Sequence, residues 1–322
     1  MPVINFVHIP KTAGTSFRLG AEEFYGEKAI AYDYGPESQQ TSGVCIEHCY
    51  RSVEDRWAFA RACEASATRM VSGHFRADKY LPAFNVSNTV TFARDPVQRL
   101  VSEYGHFVRH NGYEDSFRDF YNLPLMRNRF SKLLQGVPVR AIGFVGLTEQ
   151  YELSLQVFNQ LFDADIPSLK ENVGKKSVLD KHEVSQEDLD EVRRLNRADL
   201  EKYTDIVELF ETRVSMYRQD KPYTHGQIVQ RGKKQVGGWA WSQAGSEPVK
   251  VCVRVNGKNV AEMFATEFRP NLCRLGVPRA GYVGWSVKVD LSEGDKVECF
   301  VAATGQVLGS FVFVAGADSA QS

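Results

Sequence analysis

Apolar residues follow two rhythms along this chain, and the rhythm changes near residue 222. Before that point, short apolar runs alternate with stretches of helical spacing. Residues 3–9 (VINFVHI), 70–73 (MVSG), 89–93 (TVTFA) and 141–147 (AIGFVGL) read as buried strands. Residues 15–24, 97–110 and 149–162 read as helices. Between 188 and 218, Leu189, Val192, Leu195, Leu200, Tyr203, Ile206, Phe210 and Val214 recur at near-helical spacing, which predicts one long last helix. Ser185-x-x-Asp188 ahead of it is a capping-box pattern. Strand–helix alternation of this kind predicts an α/β domain, a parallel sheet covered by helices.

After residue 222 the period becomes two. Lys221-Pro222 with Gly226, Gly232, Gly237 and Gly238 reads as a linker. Val249, Val251, Val253 and Val255 then alternate with Lys250, Cys252 and Arg254, a half-buried strand. Asn256-Gly257 follows, the strongest short hairpin signal. Further strand-like runs cover 283–289, 296–302 and 307–314. The expected organisation is therefore an α/β domain over 1–222 and a small all-β, sandwich-like or barrel-like domain over 223–322, with a frayed tail from about 315.

Composition narrows the function classes. The chain has 322 residues, 43% hydrophobic and 25% charged, with a net charge of −1. That excludes a surface coated in positive charge for nucleic acid, but leaves room for a local basic cleft. No apolar run approaches the ~20 residues of a membrane span. The start of the chain lacks a basic n-region and a small-residue cleavage site, so a cytoplasmic location is expected. Of the six cysteines, none forms a CxxC pair, and free thiols are expected. Cys45, His48 and Cys49 offer only three soft ligands, so no metal site is expected there.

The chemistry concentrates in three places. The first is His8-Ile9-Pro10-Lys11-Thr12-Ala13-Gly14-Thr15-Ser16, between a strand and a helix. Gly14 permits a tight turn and close approach of backbone to a ligand. Thr12, Ala13, Gly14, Thr15 and Ser16 bring hydroxyls and N–H groups to a helix start, and Lys11 adds a point charge. The lysine precedes the glycine, unlike a Walker A loop. The bland alternative is an ordinary strand–turn–helix corner. The second place is Arg94-Asp95-Pro96-x-x-Arg99-x-x-Ser102-x-Tyr104, at the carboxyl end of a strand. Arg94 and Ser102 suit a phosphate dianion, whereas Arg99 has the option of pairing with an acid. The third is His74 in Val71-Ser72-Gly73-His74, a histidine between the two anion motifs and of suitable type for a general base. His8, His106 and His110 are weaker candidates for the same cleft, since a solvated helix face explains the last two nearly as well.

These motifs resemble those of PAPS-dependent carbohydrate sulfotransferases. The Pro-Lys-Thr-x-Gly-Thr-Ser order is similar to their 5′-phosphosulfate loop, and Arg94…Ser102 to their 3′-phosphate motif. The Gly-His segment and RDPVQRLVSEY are closest to the uronyl, heparan-type 2-O-sulfotransferases. Val145-Gly146-Leu147-Thr148-Glu149-Gln150-Tyr151 with Ser154, and Asn196-Arg197-Ala198-Asp199-Leu200-Glu201-Lys202-Tyr203, extend the resemblance over about residues 3–217. It does not cover the β domain, and the polar segment 32–50 has no counterpart in it. The resemblance implies a P-loop-like parallel sheet (the sulfotransferase fold), PAPS as donor and PAP as product. It also implies a carbohydrate or glycan-precursor acceptor and no required metal. His74 is then the catalytic base, Lys11 a catalytic and donor-binding residue, and Lys175, in Asn172-Val173-Gly174-Lys175-Lys176, a donor ligand.

Three rival readings stay open. One is a P-loop-type nucleotide phosphotransferase (kinase). Another is a sulfotransferase acting on tyrosine or a small-molecule hydroxyl. The third is a glycan- or protein-binding module, in which Trp239, Trp241, Tyr282 and Trp285 stack on sugars; the same four rings read equally well as sandwich core.

Overall fold

The computed structural model of the chain describes residues 2–51, 54–169 and 184–315. They form two compact units, one of Met1–Phe84 with Asn88–Phe210, the other of Asn85–Ser87 with Glu211–Ser322.

The first unit is α/β. Its strands are β1 (Ile4–Val7), β2 (Ile30–Asp33), β3 (Met70–Gly73), β4 (Thr89–Ala93) and β5 (Phe144–Leu147). All pair in parallel, in the order β2-β3-β1-β4-β5. β1, β3, β4 and β5 are buried along their whole length, as expected of strands covered on both faces. The flanking helices are α1 (Gly14–Tyr25), α2 (Gly43–Cys49), α3 (Arg56–Ala65), α4 (Pro96–His110), α5 (Phe117–Asn122), α6 (Arg129–Leu133), α7 (Tyr151–Phe162), α8 (Gln186–Leu195) and α9 (Arg197–Arg218). The core is aromatic where it matters for the site. Phe17 of α1 packs against Phe6 of β1, Phe92 of β4 and Phe158 of α7, with ring centroids 4.7, 5.0 and 4.9 Å apart. That contact holds the start of α1 over the sheet edge. Polar bonds inside the core tie β1 to β4: Asn5 Nδ2 donates to Thr89 Oγ1 at 3.2 Å, and Thr91 Oγ1 to the Val7 carbonyl at 2.7 Å.

Two element boundaries differ from the pattern. The run 141–147 opens as a 3-10 turn, Val139–Ala141, before β5 begins. The single helix expected over 188–218 is two helices, broken at Asn196. The buried Asn196 side chain accepts from Asn128 N at 2.8 Å and donates to Val192 O at 3.0 Å. Asp199, one turn on, accepts from Phe130 N and Ser131 N at 3.0 and 2.7 Å. These side chains serve the orphan donors at the start of α6, and the helix bends to let them reach. The Ser185 cap ahead of α8 forms as the pattern expects, accepting from Asp188 N.

The second unit takes in the end of α9 and a short helix, Pro270–Cys273, and is otherwise antiparallel β. Its strands are β6 (Thr224–Arg231), β7 (Gln235–Ser242), β8 (Lys250–Val255), β9 (Lys258–Phe264), β10 (Glu267–Phe268), β11 (Tyr282–Lys288), β12 (Lys296–Val301) and β13 (Val307–Val312). They make two four-stranded sheets, β10-β11-β7-β6 and β13-β12-β8-β9. Both sheets close on one core around Val236, Val251, Trp285, Val297 and Leu308. The expected glycine-rich linker is not a linker; it is strands β6 and β7. Its glycines answer to packing. A Cβ on Gly238 would lie 2.1 Å from Gln227 O and 2.8 Å from the Trp285 ring, so only glycine lets that indole lie on the strand. Asn256 and Gly257 do form the hairpin between β8 and β9, both with positive φ, as a type I′ turn demands.

Candidate functional site

Three neighbouring strands deliver the candidate residues to one sheet edge. β1 runs directly into His8 and the Lys11 loop, β3 into His74, and β4 into Arg94. β3 and β4 are the two partners of β1, and all three run the same way. Strand order reverses between β1 and β4, which is where open parallel sheets leave a crevice for ligands at their carboxyl ends.

The loop after β1 is tightly wound. Lys11 and Ala13 hold left-handed backbone, φ 66° and 63°, without being glycine, a strain of about 1–3 kcal/mol each that clusters at functional sites. Thr12 is buried and braces the loop, its hydroxyl donating to Ile9 O at 2.9 Å. Gly14 opens α1 under the His8 ring: a Cβ there would lie 2.1 Å from His8 Cδ2 and 2.4 Å from Nε2. No side chain caps α1 and its first turn holds no acid, so its end keeps the positive character that suits an anion. Ser16 is buried in this turn and Thr15 exposed.

Arg94 is half-buried beyond β4. No hydrogen bond or ion pair among the described residues neutralises it. Partial burial lowers its pKa, opposed by the nearby carboxylates of Glu149 and Asp95. Asp95 caps α4, accepting from Gln98 N at 2.9 Å, and its own N–H goes to Glu149 Oε1 at 2.8 Å. Ser102 is half-buried on α4 and makes no hydrogen bond to Arg94 among the described residues. Arg99 is the buried partner of Glu103 one turn on, the acid-pairing option of the two it had. Glu103 also meets Arg129 Nε at 3.7 Å.

One residue near Lys11, Arg109, escaped the motif reading. Lys11 has its pKa lowered by partial burial, then by Arg109 and Arg94, with Glu103 opposing. His106 is lowered by partial burial and by Lys11. Ser102, His106 and Arg109 stand four and three residues apart on α4, a single helix face. That spacing was the available signal for Arg109. Lys11 thus feels Arg109 and Arg94 as charges of its own sign, with buried Glu103 the acid that opposes them.

His74 sits against His8. Its Nδ1 lies 2.6 Å from the His8 carbonyl, and His8 N donates to Gly73 O at 2.9 Å. A carbonyl only accepts, so Nδ1 carries the proton and Nε2 presents its lone pair. The His8 ring lies 4.6 Å from that of His74, and Tyr34 approaches His74 edge-on at 5.0 Å. His74 is open to solvent on one side, at the wall of a cavity of about 370 Å³, and crowded by protein on the others. That crowding lowers its pKa from 6.5, although the bond to His8 opposes the shift. Buried His8 is lowered well below 6.5 by burial and by His74.

The same cavity holds a group from the segment 32–50. Asp33, 1% exposed, accepts from Lys79 Nζ and Tyr50 Oη at 2.6 Å each and from Tyr80 Oη at 2.7 Å. Burial alone would raise its pKa; these bonds outweigh burial and lower it. No motif announced Asp33, because its donors come from elsewhere in the chain.

Lys175 lies outside the described residues. All six cysteines are free thiols, and burial pushes Cys45, Cys63 and Cys299 up to about 12. Of the four rings considered for sugar stacking, Trp239, Trp241 and Trp285 are core, at 3%, 3% and 0% exposed, and are unavailable to a ligand. Only Tyr282 is exposed, beside Phe268. Among the described residues no helix is long and apolar enough to cross a membrane. No protein-family model matches the chain, and no curated protein matches it.

Proposed function

We propose that this chain is a sulfotransferase that moves a sulfuryl group from PAPS to a carbohydrate hydroxyl. One observation supports this reading above the others. Three adjacent parallel strands bring a cation-bearing loop, a histidine whose Nε2 presents its lone pair and a second cation, unpaired among the described residues, to one edge. A donor with phosphate at both ends of its nucleoside needs two anion seats, and a transfer to a hydroxyl needs a base beside them.

In this reading the Lys11 loop and the start of α1 hold the 5′-phosphosulfate, while Arg94 and Ser102 hold the 3′-phosphate. The acceptor oxygen forms a bond to sulfur as the bond from sulfur to the bridging oxygen breaks. The acceptor proton goes to His74 Nε2, and the bridging electron pair leaves on PAP, whose charge Lys11 offsets. Positioning and fixed positive charge supply the acceleration. A sulfuryl group carries less charge than a phosphoryl group, so no metal clamp is required.

Calorimetric titration with PAP, with ATP–Mg²⁺ in parallel, tests the donor. Metal-independent PAP binding that weakens in Arg94→Ala supports the proposal. Preference for ATP–Mg²⁺ would replace it with a phosphotransferase.

A further inference from the structure

The cavity at His74 has an unusual charge balance. Among the described residues, three cations line it, and each is already bonded to an acid that also lines it. Arg76 meets Asp78 at 2.7 and 3.1 Å, Lys79 meets Asp33 at 2.6 Å, and Arg56 meets Glu54 at 2.9 Å. Three positive and three negative groups sum to zero. Lys11 and Arg94, assigned to the proposed donor seat, and Arg109 do not line it. An acidic ligand entering here would have to break one of these pairs, leaving a carboxylate uncompensated, or stay unpaired itself. A sugar hydroxyl faces neither cost, because it donates to the carboxylate of a pair and accepts from the cation. Tyr34 and Tyr50 add ring surface for the apolar face of a sugar. At about 370 Å³ the space lies at the small end of ligand pockets, which run from about 300 to 1,000 Å³, so it suits a short acceptor unit.

We infer that this cavity is the acceptor seat, and that it selects an uncharged, hydroxyl-rich sugar over an acidic one. The inference rests on the sulfotransferase reading for the role of His74, and it departs from the uronyl acceptors that the motif resemblance suggests.

The test uses the full chain and matched glycosides that differ only in a hexose or its uronic acid. Saturation-transfer NMR without nucleotide reads the seat alone; transfer from labelled PAPS reads it in turnover. The neutral member is expected to be favoured by about tenfold in both. Asp78→Ala, which frees the exposed Arg76 and makes the cavity net positive, is expected to bring that ratio close to unity while PAP affinity stays unchanged. Preference of the unaltered chain for the acidic member, no sugar signal in NMR, or a ratio unmoved in Asp78→Ala would overturn the inference. If PAP fails to bind while the neutral sugar still binds preferentially, the donor reading falls and the seat stands.

Discussion

His74 donates through Nδ1 to the carbonyl oxygen of His8, 2.6 Å away, so the strand carrying the phosphate-type loop sets the tautomer of the neighbouring strand's histidine. The parallel register that pairs Val7 with Gly73 places the two residues side by side at the sheet edge. The proposed base and the proposed donor loop are therefore built from one pairing.

Replacing His74 by Ala is expected to lower transfer by about 10²- to 10⁴-fold, the usual worth of a general base. PAP affinity should stay within about twofold, because His74 is assigned to the proton and not to the nucleotide. Single-turnover rates and PAP calorimetry separate the two. A large fall in PAP affinity would make His74 a structural residue.

The acid limb of kcat/KM reports the same group. A base works when unprotonated, and crowding lowers the His74 pKa from 6.5. Activity should rise with pH through a midpoint below 6.5 and level off before neutrality. A midpoint above 6.5, or an acid limb that persists unchanged in the residual rate of His74→Ala, would contradict this assignment.

Arg94→Ala removes a cation with no acid bonded to it among the described residues. PAP binding is expected to weaken by about 1.5–3 kcal/mol, roughly ten- to hundredfold, as for a lost hydrogen bond to a charged group. Lys11→Ala should weaken PAP binding and slow transfer as well, since Lys11 serves both ground state and departing PAP. Titrations at two salt concentrations check that the loss is electrostatic.

Gly14→Ala pushes a methyl group into the His8 ring, 2.1 Å from Cδ2. Overpacking of this kind costs about 1–3 kcal/mol. A lower urea midpoint is expected, with PAP binding impaired because the loop must shift. Adding His8→Ala should recover most of the stability. A Gly14→Ala protein as stable as its parent would refute the close packing of the two residues.

Several elements were legible because their cause is local. Strands Met70–Gly73 and Thr89–Ala93 stand where their runs put them, since a strand buried on both faces is rich in apolar residues and admits only small polar ones such as Thr89 and Thr91, bonded within the sheet. The turn at Asn256-Gly257 is equally local. What escaped depends on distant partners. The break at Asn196 is decided by Asn128, and the strand β2 is only Ile30-Ala31-Tyr32-Asp33, whose last residue is buried because Tyr50, Lys79 and Tyr80 satisfy it. The glycines of β6 and β7 mimic a linker in sequence because the bulky groups that require them, Trp285 and Leu308, lie far along the chain. At the site, residue types were readable from motifs; the His8–His74 contact, spanning 66 positions, was not.

The burial of the indoles gives this protein two separate optical reporters. Trp285 sits in the core of the β unit, and Trp239 and Trp241 are buried on its strand β7, while Trp57, the fourth tryptophan, is 73% exposed on a helix of the other unit. Intrinsic emission should therefore shift to the red when the β sandwich opens and barely respond when the α/β unit does. Far-ultraviolet dichroism, dominated by helices, follows the α/β unit instead. Melting curves by the two signals, recorded on one sample, would read the stability of each half without cutting the chain.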